Sequence, residues 1–405
     1  MFSLYASTHL RGFALAALLV ILVGCSTTTL ATHPTPTSQA TSLPTATPLG
    51  VTPTASPTPT LSFPTIAQSW GANAAQTTFT ITNMTFDSIT PDGKRLLGVT
   101  QPNQQVIDMG WIDTTTQHFT TFSQYAIPTM AKPLQWHCCQ TDGRYYVGDD
   151  EGSGGYEGPS TIWSYDALSS KMVDISPASQ GGIDYAVSQG YLAVGSYAFG
   201  TSSINIYSLA MNTKIYSIPV ASGNYVHLAF SWPYLAYFDF PQESGATAVP
   251  NAAGVVDLRT DTTVSLPQLA GAQAELIGDT LFYLGSTGST ITLYELDHVM
   301  VPGSQAVELG SFPIGSGNAA LTGANARLVN LRLQDTDRTS ASAIAWDRAE
   351  RHFVLLGTST SPSDICAILS GSYLLVDTAA SGLSYSSECP SGQIAIYNTA
   401  TLPVK

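Results

Sequence analysis

Beyond about Gln76 the chain is written in short apolar runs rich in Val, Ile, Tyr, Phe and Thr, each closed by a cluster of Gly, Asp, Asn, Ser or Pro. No segment keeps the i, i+3, i+4 spacing of a buried helix face for long, so the pattern predicts an all-β region of strands and tight turns. Two markers alternate along it. The first is a turn leading into an apolar strand: Asp92-Gly93 before Leu96, Asp142-Gly143 before Tyr145, Gly190 before Tyr191, Trp232-Pro233 before Tyr234, Gly278-Asp279 before Leu281, Asn325-Ala326 before Leu328, and Gly371-Ser372 before Tyr373. The second is a strand end running into a polar turn, at Asp113, Asp166, Ser208, Asp257, Glu295, Asp347 and Asn398. The spacing of roughly 40 to 50 residues is the period of a four-stranded propeller blade. Such a blade has two apolar faces that only its neighbours can cover, so the set has to close into a ring. The expectation is a β-propeller of about seven blades over residues 69–405.

Within the repeat, Thr90-Pro91-Asp92-Gly93-Lys94-Arg95-Leu96-Leu97 resembles the unit of TolB-like and WD40-like propellers, a Ser/Thr-Pro-Asp-Gly-Lys turn before an apolar strand. Asp142-Gly143-Arg144 matches it in part, the other copies are degenerate, and Trp346-Asp347 is a single Trp-Asp pair. The resemblance implies architecture from about Gln76 to Lys405 and assigns no functional residue. The last blade is expected to hold Ile365 to Leu369 innermost, then Tyr373 to Val376, Gln393 to Tyr397, and an outer strand near Thr401 to Lys405. Thr77 to Thr82 can add to that blade and close the ring.

The N-terminus has a different character. Arg11 precedes an uncharged apolar run, Gly12 to Gly24, which is shorter than the about 20 residues of a spanning helix and suits a signal-peptide core. It ends in Leu22-Val23-Gly24-Cys25, which looks like a bacterial lipobox, so residues 1–24 read as a lipoprotein signal peptide and Cys25 as the lipidated residue. Two acyl chains on it would anchor the protein stably to the membrane on the extracytoplasmic side. Residues 25–68 read as a disordered linker: Ser26 to Phe86 contains no Lys, Arg, Asp or Glu, and Thr32 to Pro64 is mostly Pro, Thr, Ser and Ala. Extended at about 3.1 Å per residue, such a stalk reaches on the order of 100 Å.

Cysteines remain at Cys138, Cys139, Cys366 and Cys389. Export makes disulfides plausible, and the blade phase favours a Cys366 to Cys389 bridge, leaving Cys138 and Cys139 as a vicinal pair. His137 beside that pair is a candidate metal or cofactor element at the channel mouth, since thiolate and imidazole together suit copper or zinc. A structural disulfide beside an ordinary core Trp136 is the plainer reading.

Loops joining second to third strands carry further candidates for a ligand or metal face: Asp149, Asp150 and Glu151, then Asp335 and Asp337. Oxygen-rich loops can hold calcium, but the spacing matches no EF-hand or nonapeptide template, and a solvated acidic rim accounts for them as well. No cofactor is assigned. Tyr145, Tyr191, Tyr234 and Tyr373 recur at equivalent positions and read as packing between blades.

The 405 residues carry 28 acids against 14 bases, a net charge of -14, which excludes nucleic acid as a partner. No Gly-x-Ser-x-Gly, His-Glu-x-x-His or Gly-rich phosphate loop is present. The expected role is a non-enzymatic binding or scaffold module for an envelope or extracellular protein, peptide or glycan. Two others stand beside it. One is an extracytoplasmic propeller enzyme (lactonase, glycan-cleaving or quinone-dependent), whose mark would be a ring of inward polar groups from several blades. The other is an envelope-assembly factor like the TolB-type proteins.

Overall fold

The computed structural model describes residues 62–405 except 83, 104–105, 127–134, 152–158, 176–178, 181–182, 199–200, 221–223, 242–251, 267–273, 288, 315–316, 335–339, 360–364 and 378–391. The described residues all fall in the unit Pro57–Lys405.

Seven antiparallel sheets follow one another, each built around four strands, and in the first six these run in chain order across the sheet. Blade 1 holds Met84–Ile89, Arg95–Asn103, Val106–Asp113 and Phe119–Ala126; blade 2 holds Gln135–Thr141, Tyr145–Glu151, Pro159–Asp166 and Lys171–Asp174, with Ser179–Gln180 as an added short strand. Blade 3 holds Ile183–Ser188, Tyr191–Ala198, Thr201–Ser208 and Thr213–Val220; blade 4 holds Asn224–Ser231, Tyr234–Pro241, Ala252–Asp257 and Thr262–Ser265. Blade 5 holds Ala274–Ile277, Thr280–Thr287, Thr290–Leu296 and Val307–Pro313; blade 6 holds Asn318–Ala324, Leu328–Gln334, Ala341–Asp347 and His352–Ser359. Blade 7 takes Cys366–Ser370, Tyr373–Asp377 and Gln393–Asn398 from the C-terminal region and Thr77–Thr80 from the N-terminal one. The first strand of each blade touches that of the next, and blade 7 touches blade 1, which closes the ring.

The middle strands are apolar without a break because both their faces are covered. In the second strand of blade 7, Leu374 and Val376 pack on blade 6 beside Leu328 and Ala345, whereas Leu375 packs on blade 1 beside Phe86 and Leu96. Seven apolar clusters among the described residues lie this way, one between each pair of neighbours.

Both sequence markers have a structural reason. The Asp ending a third strand caps the following turn: Asp113 Oδ1 accepts from the Thr115 and Thr116 N–H groups, and Asp166, Asp257 and Asp347 accept in the same way. Four residues on, Gln117, Ser170, Asp261 and Arg351 take positive φ to finish the turn. The other marker stitches blades together. The Trp232 N–H donates to Ser188 Oγ of the preceding blade at 3.0 Å, the Gly278 N–H to Ser231 Oγ at 2.8 Å, and Asn325 Nδ2 to the Gly371 carbonyl at 2.8 Å. The recurring tyrosines lie over these turns: Tyr191 stacks on Trp232 at 3.7 Å, and the Tyr373 ring occupies the space beside Gly93.

Two expectations need correction. The outer strand of blade 7 is Thr77–Thr80, while Thr399–Thr401 forms a 3-10 turn and the chain after it joins no sheet. Residues 63–68, read as linker, pack on the ring. Phe63 wedges between Phe312 and Phe353, Thr65 bridges Leu355, and Thr65 with Gln68 form a capping box on the short helix Ile66–Ser69. Trp70, 2% exposed, then donates to Asp347 Oδ2 at 2.9 Å. Arg327 grips the same carboxylate at 2.6 and 2.9 Å and also reaches the Leu402 and Pro403 carbonyls. Apolar residues interspersed in a polar stretch, Phe63, Ile66 and Trp70, give this segment enough to bury.

Candidate functional site

Each first strand pairs on one side only, with the second strand of its blade, and turns its other edge to the middle of the ring. A central cavity of about 710 Å³ lies there. Side chains from either face of a first strand reach it, and so do some from second strands, which is how polar groups far apart in sequence come together. Blade 1 contributes Asp87, blade 2 Asp149, blade 3 Asp184 and Tyr185, blade 4 His227, blade 5 Glu275 and blade 6 Arg332. Leu228, Phe230, Leu321, Ile365 and Ile368 supply apolar wall between them.

Asp184 Oδ2 accepts from the Leu228 N–H at 2.9 Å and lies 3.4 Å from His227 Nδ1, so the carboxylate is held by the neighbouring blade. Tyr185 donates its hydroxyl to Asp149, and Gln140 Nε2 donates to the Tyr185 carbonyl at 2.9 Å. Burial pushes the Tyr185 phenol well up, and the charges of Asp149, Asp87 and Asp184 push the same way. Burial, and secondarily the Asp184 charge, raises the Glu275 carboxyl to about 7. The Arg332 guanidinium is lowered by burial. The cavity is thus acid-rich with one strong cation, and one of its acids titrates near neutrality.

The residues singled out from sequence fall partly here. Asp149 lines the cavity and is 6% exposed. Asp149, Asp150 and Glu151 belong to the second strand of blade 2, paired with His137, Trp136 and Gln135, and not to a loop. Asp239 and Asp377, 3% and 1% exposed, also belong to second strands, those of blades 4 and 7. The side chains of His137, Cys138, Asp150 and Glu151 lie outside the described ones, as do Asp335, Asp337, Cys389 and Cys25. Cys139 and Cys366 both line the cavity, and the Cys139 carbonyl accepts from Ser88 Oγ. Among the described residues no three His, Cys, Asp or Glu side chains are grouped to hold a metal ion.

Asp87, Asp184, His227, Glu275 and Arg332 were not singled out as a site from sequence. Each stands alone in its own strand, and only ring closure makes them neighbours. The one signal was repetition: Asp184 and His227 both stand four residues before the serine that stitches the next blade, Ser188 and Ser231.

No known family's sequence profile matches the chain. No curated protein matches it either. Solved structures do. A prolyl endopeptidase is similar over 79% of this chain and 47% of its own, at 11% identity and TM-score 0.51, so this chain spans about half of that protein. The β-propeller domain of the Trilobed protease from Pyrococcus furiosus is similar over 66% of this chain and 80% of its own, at 15% identity and TM-score 0.43. TolB from Acinetobacter baumannii is similar over 52% of this chain and 51% of its own, at 13% identity and TM-score 0.35. At these identities the likeness is one of fold and carries over no residue's role. The chain is a seven-bladed β-propeller, the architecture that its resemblance to TolB-like repeats implied.

Proposed function

We propose that this protein is an extracytoplasmic lipoprotein, anchored through Cys25, whose propeller is a binding module that takes hold of a partner peptide, protein or glycan at the central cavity. The supporting observation is the ring of polar side chains that six successive blades turn into one cavity of about 710 Å³, a volume typical of ligand pockets. An acid-rich wall of this kind favours a partner bearing positive charge. The proposal includes bridges from Cys366 to Cys389 and between Cys138 and Cys139, which fit an exported protein.

Expression of the full chain in a bacterium fed a clickable palmitate analogue tests the anchor. Label and membrane fractionation are expected for the native sequence and lost in Cys25→Ser; label retained by the variant overturns it. Peptide and glycan arrays probed with the purified protein test the module, with retention on positively charged members expected and blank arrays counting against it.

The contact between His227 and Asp184, beside a Glu275 that titrates near 7, favours a second reading in which the cavity performs proton-transfer catalysis. Turnover of an array member, abolished in His227→Ala, would establish that reading in place of the first.

A further inference from the structure

Each blade brings the turn between its first two strands and the chain that follows its third strand to one end of the ring. Within a blade the later turn donates to the earlier one: the Ala167 N–H to the Arg144 carbonyl at 3.0 Å in blade 2, Leu209 to Gly190 at 2.9 Å in blade 3, and Arg348 to Arg327 at 2.9 Å in blade 6. Among the described residues, the six large apolar side chains left exposed all belong to this end: Leu168 and Met211 at turn tips of blades 2 and 3, Ile215 just beyond, Val301 and Val307 in blade 5, and Val404 near the C-terminus. Leu168 is 77% exposed. Its N–H donates to Asp166 Oδ1 at 3.0 Å, and that of Met211 to Ser208 Oγ at 3.4 Å, so the turns hold both side chains outward.

Charge separates along the same axis. Every described Lys and Arg except Arg332 stands at this end, with Lys171, Lys214, Arg259 and Arg351 exposed. Several acids of this end are drawn in, since Asp113, Asp166, Asp257 and Asp347 accept turn N–H groups. Asp149, Asp184, Asp239, Glu275 and Asp377 lie instead in the parts of first and second strands remote from these turns. The turn end is therefore close to charge balance, and the excess of acids falls toward the other end. An anionic lipid surface repels that acid-rich end, while its interface takes up exposed aliphatic side chains flanked by bases.

We propose that the turn end of the ring rests on the surface of the bilayer that holds Cys25, with Leu168 and Met211 dipping into its interface and the acid-rich end left toward the medium. This rests on the anchored-lipoprotein reading and adds the orientation of the propeller. A few aliphatic side chains and bases bind a membrane weakly by themselves, but the stalk keeps the ring within on the order of 100 Å of the lipid, and that effective concentration lets a weak contact persist.

Hydrogen exchange tests the orientation, on the full chain purified from bacterial membranes and reconstituted into phosphatidylcholine vesicles with or without phosphatidylglycerol. The turn segments around Leu168 and Met211 are expected to exchange about tenfold or more slowly when phosphatidylglycerol is present. Leu168→Ser combined with Met211→Ser should abolish that protection while leaving the thermal melt unchanged, and Lys171→Glu combined with Lys214→Glu should remove its dependence on phosphatidylglycerol. Slowed exchange at neither end, or at the opposite end, in a chain that stays on the vesicles overturns this orientation and leaves the anchor standing. A chain that leaves the vesicles overturns the anchor and the orientation together. Slow exchange of these turns on native membranes, with none on vesicles of either kind, would give the face to a protein partner and equally overturn the proposal.

Discussion

Holding Glu275 protonated up to about 7 gives the folded protein a proton that the unfolded chain releases near 4.5. Between those values the native state binds more protons, so stability falls as pH rises through the interval and levels off above it. Because the Glu275 side chain is only half-buried, solvent screening reduces the loss to about 2 kcal/mol. Urea midpoints at pH 5 and pH 8 should differ accordingly, and Glu275→Gln should remove most of the difference; an unchanged slope in the variant would place the titration elsewhere. This residue was invisible in the sequence as a site component, for Ala274-Glu275-Leu276 carries no motif. Its neighbour Asp184 lies 91 residues away by numbering and reaches it only because two blades share the ring. Asp149, by contrast, was legible as a candidate, since three adjacent acids stand out, but its direction was not: a strand that continues through Glu151 turns it inward.

At the scale of elements, the carboxylate of Asp347 joins three pieces of chain that share no strand: the Trp70 segment, the Arg327 turn and the C-terminal residues that Arg327 binds. Burial pushes its carboxyl up, but the hydrogen bonds from Arg327 and Trp70 outweigh this and hold it below the usual range. Asp347→Ala leaves a guanidinium without its partner, at an expected loss of about 3 to 5 kcal/mol, read from thermal or urea melts. Trp70→Ala should lose a similar amount by leaving a cavity between blades 6 and 7. Gly371 tests the turn that closes the ring: at φ +54°, with Pro91 backbone atoms within 2.7 Å of where a Cβ would stand, Gly371→Ala should cost more than 1 kcal/mol. The strands and turns were legible because their period and turn residues are local. The helix at Ile66 and the seat of Phe63 were not, because a four-residue helix in a Pro/Thr-rich stretch is fixed by what it docks on, in blades 5 to 7.

For the whole molecule, closure depends on Thr77–Thr80 pairing with Gln393–Asn398. A chain beginning at Met84 exposes the Gln393–Asn398 edge and removes Phe79 and Ile81 from the blade 7 cluster, so it should melt earlier and associate edge to edge. Light scattering against the full chain checks this, and a monomeric, equally stable truncation would contradict it. The number of blades was readable in advance because each copy of the repeat had to supply two covered faces, and the sharing of blade 7 between the chain's ends was readable as an option. The clamp on the approach to that blade has a mechanical consequence. Tension applied to the chain ahead of Phe63 is first borne by blades 5 and 6, through the aromatic wedge and the Trp70 anchor, and reaches the closing strand only after these yield. The last blade is therefore shielded from a pull that arrives on its N-terminal side, and stays shut until the wedge and the anchor give way.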